Sequence, residues 1–245
     1  MEHIKNISSL LDQTGLSERP GSLLYSGNET IRKGSYYFLG TNPGGHKDQI
    51  TKQNNFDETT KEDKIKIQLH KEKKFFNEYF EGEWINSKTQ LPELPGQHIH
   101  QRNIKKFFQD LNLDLKLILS TNLCFVRSSM EDTYEGSLTQ DSKKCWKIHE
   151  YLLSVVQPKF IICNGSKSRN FIQKRMDIID TIEPYQHKKT LYSSLHRGSL
   201  FLKDYNLTLK DLVLFSVPHM GYFTYYPEST VWFKDIIKTE FNITL

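Results

Sequence analysis

Residues 36–46 read YYFLGTNPGGH, an apolar run that leads straight into a corner of glycine, proline and one asparagine, Asn42. Short apolar runs that end this abruptly are typical of strands buried on both faces of a parallel sheet. Asn-Pro and Gly-Gly are also ordinary turn dipeptides, so the corner taken alone is compatible with turn formation and nothing more. The GxxxxGK[ST] pattern of phosphate-binding loops is absent. The stretch predicts a central strand that presents Asn42 at its carboxyl end.

Three further apolar runs end at polar or glycine corners in the same way. They are LILSTNLCFVRS at 117–128, KFIICNGS at 159–166 and LVLFSVPHMGY at 212–222. Segments with a helical spacing of apolar residues lie around them, at 61–80, 103–111, 142–156 and 229–241. Strands that alternate with helices predict an α/β fold, a three-layer α/β/α sandwich around a central, mainly parallel four-stranded sheet.

The four corners are expected to meet, because open parallel sheets bind ligands beyond the carboxyl ends of their strands. The sequence therefore predicts one cleft built from the corner residues Asn42, Asn122, Asn164, Gly165 and His219. Asparagine and histidine side chains supply hydrogen-bond donors and acceptors to such a cleft, although each of them has an ordinary structural explanation when taken singly.

The length of the chain is compatible with one large domain or two small ones, and we expect a single domain. The chain has 245 residues, of which 37% are hydrophobic and 25% charged, as is typical of a globular domain. We expect residues 1–245 to form that domain, with a helical extension at 1–30 and an insert at 176–210 before the last strand. The insert contains YQHKKTLYSSLHRGS, in which basic and aromatic residues are interleaved. This mixture suits a nucleic-acid surface, and it is equally compatible with a solvated excursion.

Several features bear on compartment and cofactors. No run approaches the roughly 18 apolar residues of a membrane span, and the amino terminus lacks the apolar core of a signal peptide. The cysteines Cys124, Cys145 and Cys163 form no CxxC pair, and no histidine cluster has zinc spacing. We therefore expect a cytoplasmic protein with reduced thiols, no metal ion and no cofactor. The formal net charge of +4 is a weak indication of a polyanionic partner.

The order of the corners resembles that of the uracil-DNA glycosylase superfamily. Its members carry a Gly-x-Asn/Asp-Pro-x motif after the first strand, which matches residues 40–44 here. The stretch STNLCF, with Asn122, resembles the Asn-Leu-Cys stretch of the single-strand-selective monofunctional branch. The stretch VPHMGY, with His219, resembles the histidine loop after the last strand, and residues 158–165 resemble the penultimate strand. The resemblance covers about residues 35–240 and implies the fold of that superfamily.

The resemblance also implies an activity. It implies an enzyme that flips a nucleotide out of DNA and hydrolyses its N-glycosidic bond, leaving an abasic site. His219 would stabilise the charge that develops on the departing base, and Asn42 would position the attacking water. Asn122 would read the edge of the base, because its amide offers both a donor and an acceptor. No lysine stands in a motif position, which implies a monofunctional enzyme. DNA is the expected partner, and we expect a monomer.

Two further positions bear on the base pocket. Branches strict for uracil carry a tyrosine directly after the motif proline, where its ring excludes a substituent at the 5-position of the pyrimidine. Gly44 stands there in this chain, which predicts a pocket wall open to such a substituent. Service in a turn with positive φ is the other explanation for Gly44 and is compatible with the first. Phe56 lies about where the related branch has its base-stacking phenylalanine, and an ordinary packed phenylalanine is the alternative.

The histidine loop departs from the family pattern, which is His-Pro-Ser followed by an apolar wedge. Here a proline precedes His219 and Met-Gly-Tyr-Phe follows it, so the phosphate-binding serine is missing. The candidates for contact with DNA are Arg169 and the set Ser166, Lys167, Arg127, Met220, Tyr222 and Phe223; for the three cations, ordinary solvated surface charge is the alternative. Met220, Tyr222 and Phe223 would fill the gap left by a flipped base, and aromatic residues there are equally compatible with a place in the core.

Three functions stay open at this point. The first is a DNA glycosylase, acting on damaged or 5-substituted uracil in base excision repair or on a hypermodified cytosine of phage DNA in antiphage defence. The second is a non-catalytic DNA- or nucleotide-binding module, which the altered histidine loop favours. The third is a different nucleoside or nucleotide hydrolase with a similar α/β layout.

Overall fold

A six-stranded mixed sheet forms the centre of the molecule. The structure is a computed structural model that describes residues 2–19, 21–44, 76–86, 89, 91–128, 134, 136–221 and 225–241. Its strands are β1 (Tyr36–Gly40), β2 (Leu119–Asn122), β3 (Phe160–Asn164), β4 (Met176–Lys188), β5 (Leu191–Leu202) and β6 (Leu207–Val217). They lie in the order β2-β1-β3-β6-β5-β4. Strands β2, β1, β3 and β6 are parallel to one another, whereas β5 is antiparallel to β6 and to β4.

The parallel half of the sheet consists of the four apolar runs identified in the sequence. Every residue of β2 and β3 is buried, as is every residue of β1 after the first. Burial on both faces explains why these strands are continuous apolar runs rather than alternating ones. The predicted α/β class is confirmed.

The prediction of a four-stranded sheet is wrong, because residues 176–210 are not an excursion. They hold β4 and β5, which form an antiparallel hairpin that extends the sheet beyond β6. β4 is the outer strand, and its residues alternate between partly buried and exposed, so it lacks the continuous apolar signature of the inner strands. Its Pro184 lies at a register shift between Ile182 and Tyr185, a position where an edge strand tolerates proline.

Helices cover both faces of the sheet. In the described part of the chain they are α1 (Glu2–Thr14), α2 (Glu78–Glu81), α3 (Ile99–Asp110), α4 (Leu138–Val156), α5 (Ser166–Gln173) and α6 (Pro227–Thr239). The segments predicted at 103–111, 142–156 and 229–241 correspond to α3, α4 and α6, within a few residues at their ends. Most of the helix predicted at 61–80 lies outside the described residues. Its last three positions belong to the short helix α2.

Two apolar clusters pack against the sheet, one on each face. Alternate residues of a strand point to opposite faces, so Tyr37 and Leu39 of β1 join the cluster with α1 and α4, whereas Phe38 joins the cluster with α3 and α6. On the second face the rings of Phe215 and Phe233 stack at 4.1 Å between centroids. Both layers of helices are therefore fixed by the pleat of the strands.

The amino-terminal region belongs to this core. Helix α1 is present where a helical extension was expected, and it buries Ile4, Ile7 and Leu11 in the cluster with α4. The chain then runs antiparallel beside β2, with isolated bridges from Gly21 to Val126 and from Leu24 to Thr121. This pairing covers the edge of β2, which would otherwise expose unpaired backbone groups. Among the described helices, none is both long and apolar enough to cross a membrane.

Candidate active site at the carboxyl ends of the parallel strands

The last residues of the four parallel strands lie side by side. Gly40 of β1 pairs with Asn122 of β2, and Asn164 of β3 pairs with Val217 of β6. Leu39 pairs with Cys163, which brings the following residues, Gly40 and Asn164, to the same level. The corners that were expected to meet therefore leave the sheet at one edge.

Hydrogen bonds join the corner after β1 to the corner after β2. The carbonyl of Gly40 accepts from the N–H of Leu123 at 3.0 Å, and the carbonyl of Thr41 accepts from Cys124 at 2.9 Å. Further along, the carbonyl of Pro43 accepts from the N–H of Ser128 at 3.1 Å. The two corners thus run together as a paired unit, which gives the side chains between them fixed positions.

Gly165 brings the third and fourth corners to the first. Its φ of +110° lies where glycine is favoured over residues with side chains. A Cβ atom on this residue would be 3.4 Å from Cδ2 of His219 and 3.7 Å from Oγ1 of Thr41. His219 and the residue next to Asn42 therefore flank the same glycine, and the first, third and fourth corners come together around it.

Asn42 is partly buried and held by its amide nitrogen. Nδ2 donates to Oγ of Ser128 at 2.9 Å and to the carbonyl of Pro43 at 3.1 Å. Because both hydrogens of the amide are engaged, Oδ1 is the atom with accepting capacity for a further ligand. An acceptor oxygen is what is needed to position a water molecule. Ser128 was not identified from the sequence, where it reads as one of several serines after the strand.

Asn122 carries a buried donor without a protein partner. Its side chain is 5% exposed, and Nδ2 has no hydrogen-bond partner in the part of the chain that the structure describes. A buried N–H left in this state destabilises the fold by about 1–3 kcal/mol. Oδ1 packs so closely over Gly40 that a Cβ atom on residue 40 would clash with it. Such an orphaned donor is the kind of group that a polar ligand satisfies.

His219 is half-buried, and its tautomer is set by the backbone. Nδ1 accepts a hydrogen bond from the N–H of Gly221 at 3.2 Å. The neutral ring therefore carries its hydrogen on Nε2, since Nδ1 is used as an acceptor. A neutral imidazole of this kind can donate from Nε2 to a group that gains negative charge.

A second histidine, His100, stands beside His219. The ring centroids are 5.0 Å apart. Oδ1 of Asn164 accepts a hydrogen bond from the N–H of Met220 at 2.9 Å, which fixes the orientation of the Asn164 amide. Nδ2 of Asn164 then donates to Nε2 of His100 at 3.0 Å. Since Nε2 of His100 is an acceptor, the neutral ring carries its hydrogen on Nδ1. Protonation would turn Nε2 into a donor facing another donor.

The electrostatic surroundings favour the same neutral state. Removal from water holds the pKa of His100 well below its usual value, and the neighbouring His219 and His98 lower it further. His100 could not be recognised from the sequence, because its partner Asn164 lies 64 residues further along the chain. A polar residue in the first turn of an amphipathic helix is ordinarily solvated.

Aromatic rings continue from this histidine pair. Trp84 lies 5.6 Å from His100 between ring centroids, and Tyr25 and Tyr79 lie 6.0 and 5.8 Å from Trp84. Tyr25 and Tyr79 are buried in the core, whereas Trp84 and His100 are partly exposed beside His219. A partly exposed indole ring such as that of Trp84 suits stacking against a nucleobase.

Gly44 and Arg127 lie at the outer end of the first corner. Gly44 is exposed, its φ is outside the left-handed region, and a Cβ atom there would have no neighbour within 4 Å among the described residues. The expectation of a positive-φ turn at Gly44 is therefore wrong. Its carbonyl accepts from Nη1 of Arg127 at 2.7 Å, so the guanidinium proposed for phosphate contact also braces the corner.

The remaining candidates are distributed unevenly. Ser166 and Lys167 are exposed in the first turn of α5, where a strand of DNA can reach them. Met220 is only 2% exposed and packs in the core, so its use as a wedge in DNA is incompatible with its burial. Its carbonyl also accepts from Nδ2 of Asn103 at 2.9 Å. Phe56, Tyr222 and Phe223 lie outside the described residues.

No group of three or more His, Cys, Asp or Glu side chains within the described ranges is placed to hold a metal ion. A scan of the sequence against protein-family models gives no match, and a search of curated proteins gives none either. The chemistry of the cleft itself is therefore what points to a function.

Proposed function

We propose that this protein is a monofunctional DNA glycosylase, which accepts an extruded pyrimidine nucleotide in the cleft and hydrolyses the bond between base and deoxyribose. The observation that carries the proposal is the orphaned Nδ2 of Asn122, buried at the same sheet edge as Asn42 and His219. A buried donor with no protein partner is accounted for if a pyrimidine carbonyl or ring nitrogen accepts from it.

Departure of the base is the step assigned to His219. As the C1′–N bond breaks, its electron pair leaves with the base and the sugar becomes an oxocarbenium ion. The Nε2–H of a neutral His219 donates to the base as negative charge develops there, so the interaction is stronger in the transition state than in the ground state. The lowered pKa of His100 keeps that neighbouring ring neutral as well.

Attack by water is the step assigned to Asn42. Its Oδ1 holds a water molecule against C1′, while Ser128 and Pro43 hold its Nδ2. An amide takes no proton, so the water attacks a sugar cation that is already formed and its proton passes to the departed base or to solvent. The products are a free base and an abasic site.

The substrate class that fits the cleft is a pyrimidine with a substituent at the 5-position. This class covers 5-substituted uracils and hypermodified cytosines. Gly44 supports it, because no described residue lies within 4 Å of the place of a Cβ atom there and no positive φ explains the choice of glycine. The partly exposed rings of His100 and Trp84 offer a face for stacking.

The proposal is tested with single-stranded oligonucleotides that contain uracil, 5-hydroxymethyluracil, 5-hydroxymethylcytosine or glucosylated 5-hydroxymethylcytosine, followed by alkaline cleavage of abasic sites. We expect faster cleavage at a 5-substituted pyrimidine than at uracil. Asn42→Ala and His219→Ala are expected to lower the single-turnover rate at least about 100-fold, because each removes a group that acts on the transition state.

Matched controls come from the far face of the sheet. Asn6→Ala and His3→Ala change the same residue types on exposed positions of α1 and are expected to leave the rate unchanged. Binding of these oligonucleotides without cleavage of any of them would favour a non-catalytic binding module. Hydrolysis of free nucleosides with all DNA left intact would favour a different hydrolase.

A further inference from the structure

A cavity of about 110 Å³ lies beside His219, between the start of α5 and strand β5. We refer to it as the Arg169 cavity; its walls include Gly165, Ser166, Arg169, Tyr192 and His219. Its volume is well above the roughly 10–15 Å³ that a single water molecule requires. The reaction steps assigned to Asn42, Asn122 and His219 do not account for it.

Arg169 is a buried cation without a counter-ion. Its side chain is 8% exposed, and Nε and Nη2 both donate to the neutral amide oxygen of Asn170, at 3.0 and 2.8 Å. Within the described residues no carboxylate forms an ion pair with it. Buried charges are ordinarily paired, because an isolated charge in the interior is strongly destabilising. An anionic ligand in the cavity would supply the missing charge.

The other walls of the cavity suit an anion as well. The guanidinium carbon of Arg169 lies 4.9 Å from the ring centroid of Tyr192, which holds the planar group in place. Helix α5 begins at Ser166, and its N-cap residue Gly165 gives it no side-chain cap, so its first N–H groups are directed outward beside Arg169. The hydroxyl of Ser166 adds a further donor.

We propose that the Arg169 cavity binds a phosphate group of the DNA strand next to the nucleotide whose base is excised. This assignment rests on the proposed glycosylase function for the identity of the strand. The chemistry recognised is a tetrahedral phosphate anion, which guanidinium and helix-start N–H groups bind through charge-assisted hydrogen bonds. The same chemistry would accept the phosphate of a free nucleotide, and the two sources are separated experimentally.

The site also gives the β4–β5 hairpin a function. Thr190, Leu191 and Tyr192, at the turn and the start of β5, line the cavity opposite α5. The hairpin therefore closes one side of the phosphate site that it shares with His219. A strand held there would have its sugar fixed next to the group that stabilises the departing base.

The test uses a single-stranded oligonucleotide with one tetrahydrofuran abasic-site analogue, which measures binding without a cleavable base. Each phosphate flanking the analogue is replaced in turn by an uncharged methylphosphonate. We expect that replacing one particular phosphate weakens binding to the wild-type protein at least about tenfold. The same replacement should not weaken the binding of the Arg169→Gln variant any further. Arg169→Gln should also reduce the salt dependence of binding by about 0.7 in log–log slope.

Two further variants separate a loss of phosphate binding from a loss of folding. Lys174→Gln removes one positive charge from the other end of α5 and should retain the methylphosphonate effect. Ser166→Asp places a negative charge at the exposed start of the helix, where it favours folding but repels phosphate. We expect its melting temperature to be unchanged or raised and its binding of the oligonucleotide to be lowered.

A second arm uses inorganic phosphate and the backbone amide signals of Gly165 and Ser166 in ¹⁵N-resolved NMR spectra. Shifts in the wild type that are absent in Arg169→Gln support the cavity as an anion site even if the protein cleaves no DNA. The same shifts without any methylphosphonate effect would overturn the DNA-backbone assignment in favour of a free phosphate. Equal methylphosphonate effects in wild type and Arg169→Gln, with no shifts, would overturn the site altogether.

Discussion

At the scale of single residues, the cleft depends on which atom of each polar side chain is already used by the protein. The amide nitrogen of Asn42 donates two hydrogen bonds, so its amide oxygen is available as an acceptor. The amide nitrogen of Asn122, by contrast, has no hydrogen-bond acceptor among the described residues. His219 accepts at Nδ1 and can donate from Nε2. The two asparagines are thereby suited to opposite tasks, Asn42 to accepting a hydrogen bond from a ligand and Asn122 to donating one.

His100 is expected to act as a positioning residue for His219. His100→Phe removes the acceptor that Asn164 uses, so we expect the single-turnover rate to fall about tenfold through misplacement of the histidine loop. The free energy of unfolding should fall by about 1–3 kcal/mol, because Nδ2 of Asn164 is left unpaired. The measurements are the cleavage rate and urea unfolding.

Its matched variants separate positioning from packing. His100→Gln keeps an acceptor oxygen and should recover most of the lost stability and rate. His3→Phe makes the same replacement on α1 and should leave the rate unchanged. A His100→Phe enzyme as fast as the wild type would show that the ring pair has no part in the reaction.

At the scale of secondary-structure elements, the close approach of β1 and β2 determines where Asn122 lies. Gly40→Ala would insert a Cβ atom into the space of Oδ1 of Asn122. We expect displacement of Asn122, a loss of about 1–3 kcal/mol of stability from overpacking, and reduced cleavage of every base in the panel. Urea unfolding and single-turnover rates are the measurements.

Gly34→Ala is the control for that change. A Cβ atom on Gly34 would have its nearest neighbours at ordinary contact distances of 3.7 and 3.9 Å. It should therefore leave the cleavage rate unchanged. Equal rates for Gly40→Ala and the wild type would contradict a role for the packing of Asn122 over Gly40.

The elements differ in how well the sequence identified them. Strands β1, β2, β3 and β6 were recognisable because burial on both faces produces unbroken apolar runs. β4 and β5 were not, since β4 alternates between partly buried and exposed residues and basic side chains are interleaved along both strands, which made them look like a surface insert. The corner residues followed from strand ends alone. Pairings across long distances, such as His100 with Asn164, depend on tertiary contacts that no local pattern encodes.

At the scale of the whole molecule, a buried histidine connects the helical layer to the cleft. Nδ1 of His149, in α4, forms a hydrogen bond of 2.8 Å with the hydroxyl of Tyr37, and Nε2 lies 3.1 Å from the carbonyl oxygen of Leu123. A carbonyl only accepts, so Nε2 donates and the neutral ring accepts from Tyr37 at Nδ1. Burial lowers the pKa of His149 to about 4.

Stability is expected to fall with acidification in a defined window. The pKa of this ring is about 6.5 in the unfolded chain and about 4 in the folded chain. The contribution of the neutral ring to the free energy of unfolding is therefore complete above pH 6.5 and is lost as the pH falls from 6.5 to 4. The loss from this one group is at most about 1.4 kcal/mol per pH unit. Urea unfolding as a function of pH measures it.

His149→Gln is expected to flatten that dependence, because an amide offers a similar donor and acceptor but does not titrate. The flattening should be partial, since burial also lowers the pKa of His98, His100, His187 and His196. An unchanged slope between pH 6.5 and 4 in His149→Gln would contradict the assignment of a neutral, buried ring.

The central claim is that the cleft releases a pyrimidine base from DNA, and the most direct measurement is mass-spectrometric quantification of the free base. The wild-type protein is incubated with the four modified oligonucleotides, and free base and abasic sites are counted in the same samples. The expected result is one free base for each abasic site with at least one 5-substituted substrate, and none above background with Asn42→Ala/His219→Ala. Tight binding of the oligonucleotides with no base released from any of them would contradict the claim.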